Sequence, residues 1–156
     1  MKKVIIVGML LVMALTLVAC GGKGSESKSK DVIGAGDWEE LSKEEQTIKL
    51  NEEFNLAQNL NVSIQSAMAS DENVYRECEN VGTFEVIVTK DGCTINPETG
   101  LEKFTEKFME YSGYFDPKKI KTVVENHMIK LTVTNNGRVS YTLVNSDTGE
   151  EIKFND

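Results

Sequence analysis

Four sets of side chains in this sequence have the types that chemistry needs. Cys20 follows Leu17-Val18-Ala19 at the end of an apolar run that starts at Val4, behind Lys2 and Lys3. A thiol is a nucleophile in its ionised form, and it can form a thioether. Cys78 and Cys93 are the other two cysteines. An even pair in an exported chain reads as a disulfide, with two buried thiols as the alternative. Closing that loop would add ~3 kcal/mol in the chain-entropy view. His127 is the single histidine, and it shares strand parity with Ile129, which predicts a structural, half-buried residue at a sheet edge. Asn145, Asp147 and Glu150 carry oxygen donors for calcium. The rest of a calcium loop is missing, and Asp147-Thr148-Gly149 is ordinary turn chemistry. No Ser or Cys nucleophile has a base at hand, and no histidine pair has zinc spacing. The sequence therefore predicts no catalytic residue, no metal ligand and no cofactor.

The leader decides where such a chain would work. About sixteen apolar residues behind two lysines are too few for a span, which takes roughly 20, and fit an export signal. Leu17-Val18-Ala19-Cys20 resembles the lipobox of bacterial lipoproteins. The resemblance implies cleavage before Cys20, thioether-linked diacylglycerol on its sulfur, and a protein anchored by its acyl chains in the cell membrane, on the extracellular or periplasmic side. Several acyl chains on one cysteine hold firmly, since each buried CH₂ contributes ~0.8 kcal/mol. The expected organisation is a signal peptide over 1–19, a lipidated cysteine and Gly/Ser/Lys-rich tether over 20–36, and a single ectodomain over 37–156. Sixteen residues of such tether span ~20–25 Å.

Charge narrows the partners. Loss of 1–19 removes Lys2 and Lys3 and no acid, so 15 basic residues face 25 acidic ones and the formal charge moves from −8 to −10. That excludes nucleic acid as a partner and disfavours lying on anionic lipid. The remaining membrane contact is the lipid anchor, with an envelope protein or self-association as the protein partner.

The elements that position these residues follow from periodicity. Ser42 and Glu45 form a capping box, and Glu44 and Glu45 suit the positive helix end. From there Leu50, Phe54, Ala57, Ile64 and Met68 make one stripe, widened by Leu56, Leu60 and Ala67. A long helix over 42–69 is expected, ending at Ser70-Asp71-Glu72-Asn73, with Trp38 and Leu41 as a short turn before it. Thr83–Thr89 alternates like a strand. Asp91-Gly92 as a two-residue turn pairs Val88 with Ile95 and Lys90 with Cys93, placing Cys93 on the core face. Pro97 opens a second, short helix, with Thr99 and Glu102 as an alternative capping box, Leu101, Phe104, Phe108 and Tyr111 on one face, and Gly113 as its stop. Ile120–Val124 is a further candidate strand. A three-residue loop at Asn135-Asn136-Gly137 sets Val133 against Val139, Leu131 against Tyr141 and Ile129 against Leu143. A four-residue loop at Ser146–Gly149 sets Leu143 against Ile152 and Tyr141 against Phe154. The fold class is α+β: a long N-terminal helix packed on an antiparallel β-meander, with a second short helix inserted after the first hairpin. No inward polar residue is expected between helix and sheet.

The stretch Asn59–Tyr75 resembles the exposed half of the long helix in bacterial type IV pilin-like proteins, which follow that helix with a connecting segment and an antiparallel meander. Those proteins keep their apolar N-terminal helix, whereas Cys20 marks it here for removal, so the resemblance concerns the head alone. The reading that follows is a membrane-anchored bacterial surface lipoprotein with a non-enzymatic binding or structural ectodomain. Its alternatives are a pilin-like or pseudopilin-like subunit, or a small lipid-anchored inhibitor or enzyme resembling cystatin-like or NTF2-like folds.

Overall fold

A computed structural model describes residues 32–153 of the chain. The signal sequence, Cys20, most of the tether and Phe154 lie outside the described residues. Within them the chain is α+β, with four α-helices and one four-stranded antiparallel sheet, and the long helix packs on that sheet.

The chain joins the fold at Ile33, which bridges Val124 in parallel; Ile33 N–H donates to Val123 O at 2.9 Å and Glu125 N–H to Ile33 O at 2.8 Å. Helix α1 (Ala35–Glu40) follows. The expected tether is therefore shorter than 20–36, because its last residues find backbone partners, and Trp38 lies in a helix rather than a turn.

Helix α2 (Lys43–Ser70) begins at the capping box read from sequence: Glu45 N–H donates to Ser42 Oγ, and Ser42 N–H donates to Glu45 Oε2 at 3.0 Å. Ala57, Leu60, Ile64, Ala67 and Met68 bury its stripe. The helix ends at Ser70, but regularity does not. Asp71 caps a further helix, α3 (Glu72–Val81), accepting from Asn73 N–H at 2.7 Å. Only Val74 and Cys78 of α3 are buried, which is too sparse a pattern to announce a helix in advance.

Strands β1 (Phe84–Thr89) and β2 (Gly92–Asn96) pair Val88 with Cys93 and Val86 with Ile95. The turn residues are thus Lys90-Asp91, two positions out of the expected register, although parity and the core-facing Cys93 are unchanged. Gly92 has a different task. At φ +138°, a Cβ there would stand 3.0 Å from Lys118 Cα and 3.1 Å from Pro117 O, so glycine lets the 3₁₀ turn Pro117–Lys119 cross the hairpin.

Helix α4 (Glu102–Ser112) carries buried Phe104 and Phe108 and stops at Gly113, φ +73°. Phe104 meets Phe84 edge-on at 4.9 Å and stacks on Phe108 at 5.9 Å. Its N-terminus is not the expected Thr99/Glu102 box. Leu101 is the cap position, and Glu77 of α3 accepts from Lys103 N–H at 2.9 Å and Phe104 N–H at 3.1 Å. A carboxylate from another helix answers the open donors and the positive dipole end. Pro97 precedes the helix.

Strands β3 (His127–Val133) and β4 (Val139–Asn145) show the expected register of Val133 with Val139, Leu131 with Tyr141 and Ile129 with Leu143. Gly137 is left-handed at φ +76°. The third meander strand shrinks to one bridge, Val144 with Glu151, though Ile152 N–H still donates to Leu143 O at 2.8 Å. The sheet gains its fourth strand elsewhere: β1 pairs with β3, Phe84 opposite Val133, giving the order β2-β1-β3-β4. Ile120–Val124 is not a regular strand; Ile120 and Val124 are buried, and the segment is held by single bonds.

Candidate functional site

The segment 120–127 lacks a ladder of its own, so something else must hold it. Glu53 of α2 does so. One carboxylate oxygen accepts from Val123 N–H at 2.8 Å and Val124 N–H at 3.0 Å, and the other lies 2.6 Å from His127 Nδ1. One proton lies between Nδ1 and Oε2, and the two backbone donors take up the other oxygen. Trp38 of α1 closes over the imidazole edge-on at 4.9 Å. Glu53 is 0% and His127 2% exposed. Beside this clamp, Thr122 Oγ1 and Asn126 Oδ1 are buried without a hydrogen-bond partner among the described residues.

His127 is therefore fully buried rather than half-buried, and Glu53 is the inward polar residue not expected from the pattern. Its signal was nonetheless present. Glu53 lies three residues after Leu50 and four before Ala57, inside the apolar stripe, where a charge demands a buried partner. That partner is 74 positions away in sequence. In chemical terms the pair is an acid–base couple with the shape of a positioned histidine. It is walled by helix, sheet and indole, and three of its polar contacts are used to hold backbone and ring.

Cys78 and Cys93 do not form the expected disulfide; each is a separate buried thiol. Cys93 stands opposite Val88, four residues along β1 from Phe84, about 13 Å at strand rise. Cys78 lies one turn before the α3 terminus that leads into Phe84. Burial, with the charge of neighbouring Glu77, pushes the Cys78 thiol up to about 11, and burial alone pushes Cys93 up to about 12. Such thiols are poor nucleophiles at neutral pH.

Asn145 Oδ1 accepts from Asp147 N–H at 2.9 Å and Thr148 N–H at 3.1 Å, the turn chemistry foreseen. Among the described residues no cluster of His, Cys, Asp and Glu is arranged to hold a metal.

Two open grooves flank α2. The larger, about 770 Å³, runs between its C-terminal half and the β3–β4 loop; Met68, Tyr75 and Val139 supply its apolar wall, with Gln65, Thr134 and Arg138 as polar contacts. The smaller, about 440 Å³, lies between α2 and the end of α4, lined by Leu56, Val62, Tyr111 and Tyr114 among others. No protein-family model, curated protein or solved structure matches this chain.

Proposed function

We propose that the protein is a lipoprotein held by Cys20 on the outer side of a bacterial membrane, whose ectodomain works by binding rather than by catalysis. The observation that carries the second half is the state of the Glu53–His127 pair. The one acid–base couple of the described residues is sealed from solvent and its carboxylate is fully engaged in holding Val123, Val124 and His127. What the domain offers its surroundings is the groove of Met68, Tyr75, Arg138 and Val139. An apolar floor with one cation and amide and hydroxyl groups at the rim suits a protein segment with an acidic or carbonyl-rich edge. The first half rests on Leu17-Val18-Ala19-Cys20 alone.

The mass of the N-terminal peptide from the membrane fraction tests the anchor. A diacylglyceryl Cys20 at the N-terminus is expected, and Cys20→Ser should leave the chain without it; an unmodified Cys20 sinks the anchor. A photo-crosslinking side chain at position 75 or 138 in intact cells tests the groove against the same label at exposed Glu106. Equal yields at the three positions, or turnover that depends on a defined ectodomain residue, would overturn the binding reading. A pilin-like subunit is the second reading, favoured by Ile48 and Val62, exposed on α2 at 52% and 63%. It requires the ectodomain to self-associate through that helix, and a sedimentation profile of monomer at every concentration excludes it.

A further inference from the structure

Phe115 is 101% exposed, the most exposed large apolar side chain of the described residues. It stands in the connection after α4, preceded by exposed Tyr111 and half-buried Tyr114, and followed by Lys118, Lys119 and Lys121, all three exposed. No carboxylate of the described residues pairs with these lysines, whereas Lys49, Arg76, Lys90, Lys107 and Lys130 all have one. An aromatic tip beside unpaired lysines is the composition of a segment that sits at a bilayer interface, ring among the headgroup–acyl boundary and ammonium groups among phosphates.

The same segment is where the tether joins the fold. Ile33 bridges Val124, three residues past Lys121. Between Cys20 and Val32 lie eleven residues, and these contain Lys23, Lys28 and Lys30 against Glu26 and Asp31. Six of the fifteen basic residues beyond the leader therefore fall in the tether and in the one segment it joins. In a chain anchored at Cys20, this end of the domain would be the one nearest the anchor along the sequence.

The carboxylates nearby must be weighed. Glu125 is engaged by Lys90, and Asp116 turns back to accept Lys118 N–H at 2.9 Å. Asp37, Glu39 and Glu40 lie on α1, which packs toward β3 through Trp38 and His127. Asp91 lies at the hairpin tip beside Gly92, and Asp147 acts on Lys90 of the same turn from a loop whose Ser146 N–H donates to Asn126 O at 2.7 Å. These acids offset part of the local attraction, so contact depends on Phe115 and on the three lysines themselves reaching the phosphates. An untethered domain would not seek the surface.

We propose that Phe115–Lys121 docks the ectodomain onto an anionic phospholipid surface, with Phe115 inserted and Lys118, Lys119 and Lys121 among the headgroup phosphates. The proposal rests on tethering near Cys20, and its test supplies that tether chemically. A chain beginning at Cys20 is coupled through its thiol to a maleimide lipid in vesicles; Cys78 and Cys93 are buried thiols and do not compete. Amide hydrogen exchange over 113–121 is then compared on phosphatidylcholine alone and on phosphatidylcholine with phosphatidylglycerol.

Slower exchange of that segment is expected on the anionic vesicles only, reversed by high salt. Each of Lys118→Gln, Lys119→Gln and Lys121→Gln should weaken the protection about fivefold, the effect of one basic side chain near such a surface. Phe115→Ser should weaken it while leaving the exchange of the core strands unchanged, which shows that the variant is folded. Equal exchange on the two vesicle types overturns the proposal, as does protection confined to the groove of Tyr75 and Arg138. Because the tether is chemical, either result is independent of whether cells lipidate Cys20, which the peptide mass decides separately.

Discussion

Helix α2 meets the rest of the domain in two chemically opposite ways. Its C-terminal half buries the side chains of Leu60, Ile64, Ala67 and Met68 against the sheet and α4, with a long hydrogen bond from Ser63 Oγ to Tyr111 O at 3.4 Å beside them. Its N-terminal half reaches the other end of the sheet through one carboxylate, Glu53, bonded to Val123, Val124 and His127. Apolar packing is non-directional and tolerates volume-conserving exchange. A buried carboxylate is directional, and its loss leaves donors with nothing to bond. The first half makes the fold stable, and the second decides where one irregular segment goes. That segment, 120–127, bridges Ile33 at Val124 and leads into β3.

The comparison is broken most severely at Glu53. Glu53→Ala should cost about 3–5 kcal/mol, the range for removing one member of a buried pair, read as a lower midpoint in urea unfolding. Glu53→Gln keeps an acceptor for the two valine N–H groups and should cost only about 1–2 kcal/mol. Equal losses for the two variants would mean that Glu53 fills space rather than directing the segment. Leu60→Ala in the apolar half should cost about 2–5 kcal/mol by cavity formation, but it should leave the exchange protection of Val123 and Val124 amides in the native state unaltered. Glu53→Ala should abolish that protection even where the domain stays folded. If Leu60→Ala opens those amides as well, the two halves are one cooperative unit.

These two halves were also unequally legible. Period 3.6, the Ser42 capping box, Gly113 and the β3–β4 register are local signals, and each appears where sequence placed it. The capping box spans three residues, and the β3–β4 register follows from one loop length and one apolar face. What was missed depends on distant pairs: Glu53 with His127, Glu77 at the start of α4, and β1 beside β3. In each case the local pattern was either silent or pointed to a nearer partner. Thr99 and Glu102 offered a capping box to a helix that Glu77 serves from another element. At the first hairpin Asp91-Gly92 looked like the turn, yet Gly92 was required by the crossing of Pro117 and Lys118, a contact 26 residues away that no turn rule contains. The disulfide was inferred from count and compartment, and neither carries the distance along β1 that separates Cys93 from Phe84.

Alkaline pH probes the two buried thiols of the apolar core. Cys78 and Cys93 are held up to about 11 and about 12, against an ordinary 9.0. Below pH 9 both folded and unfolded chains keep the two protons, so the thiols contribute no pH dependence. Above it the unfolded chain loses them first and binds fewer protons than the folded one. Stability therefore falls as pH rises through the window from 9 to about 11, by at most about 1.4 kcal/mol per pH unit for each thiol. Lysines and tyrosines titrate there too, so the measurement is a difference: Cys93→Ala should show a shallower alkaline decline than the unaltered chain. Parallel declines would place Cys93 in contact with solvent and remove it from the apolar core.

The smallest effect lies at the start of α2, before either half. Ser42→Ala removes the hydroxyl that accepts from Glu45 N–H and leaves Glu45 with the Ser42 backbone N–H alone. The cost should be about 1 kcal/mol, seen as a small fall in the urea midpoint with unchanged slope. The Ser42 hydrogen bonds hold Glu45's carboxyl below its ordinary value, so the same substitution should raise it, which a carboxylate titration by NMR follows directly. Trp38 adds a reason to look further along the helix. Its carbonyl accepts from Gln46 at 2.9 Å while its ring covers His127, so fraying at Ser42 has a route to the clamp through one residue. If Ser42→Ala also speeds exchange at Val123 and Val124, the cap and the clamp share that route. If it leaves them untouched, the clamp is set by Glu53 alone, and the difference between the two halves of α2 is as sharp as the hydrogen bonds make it.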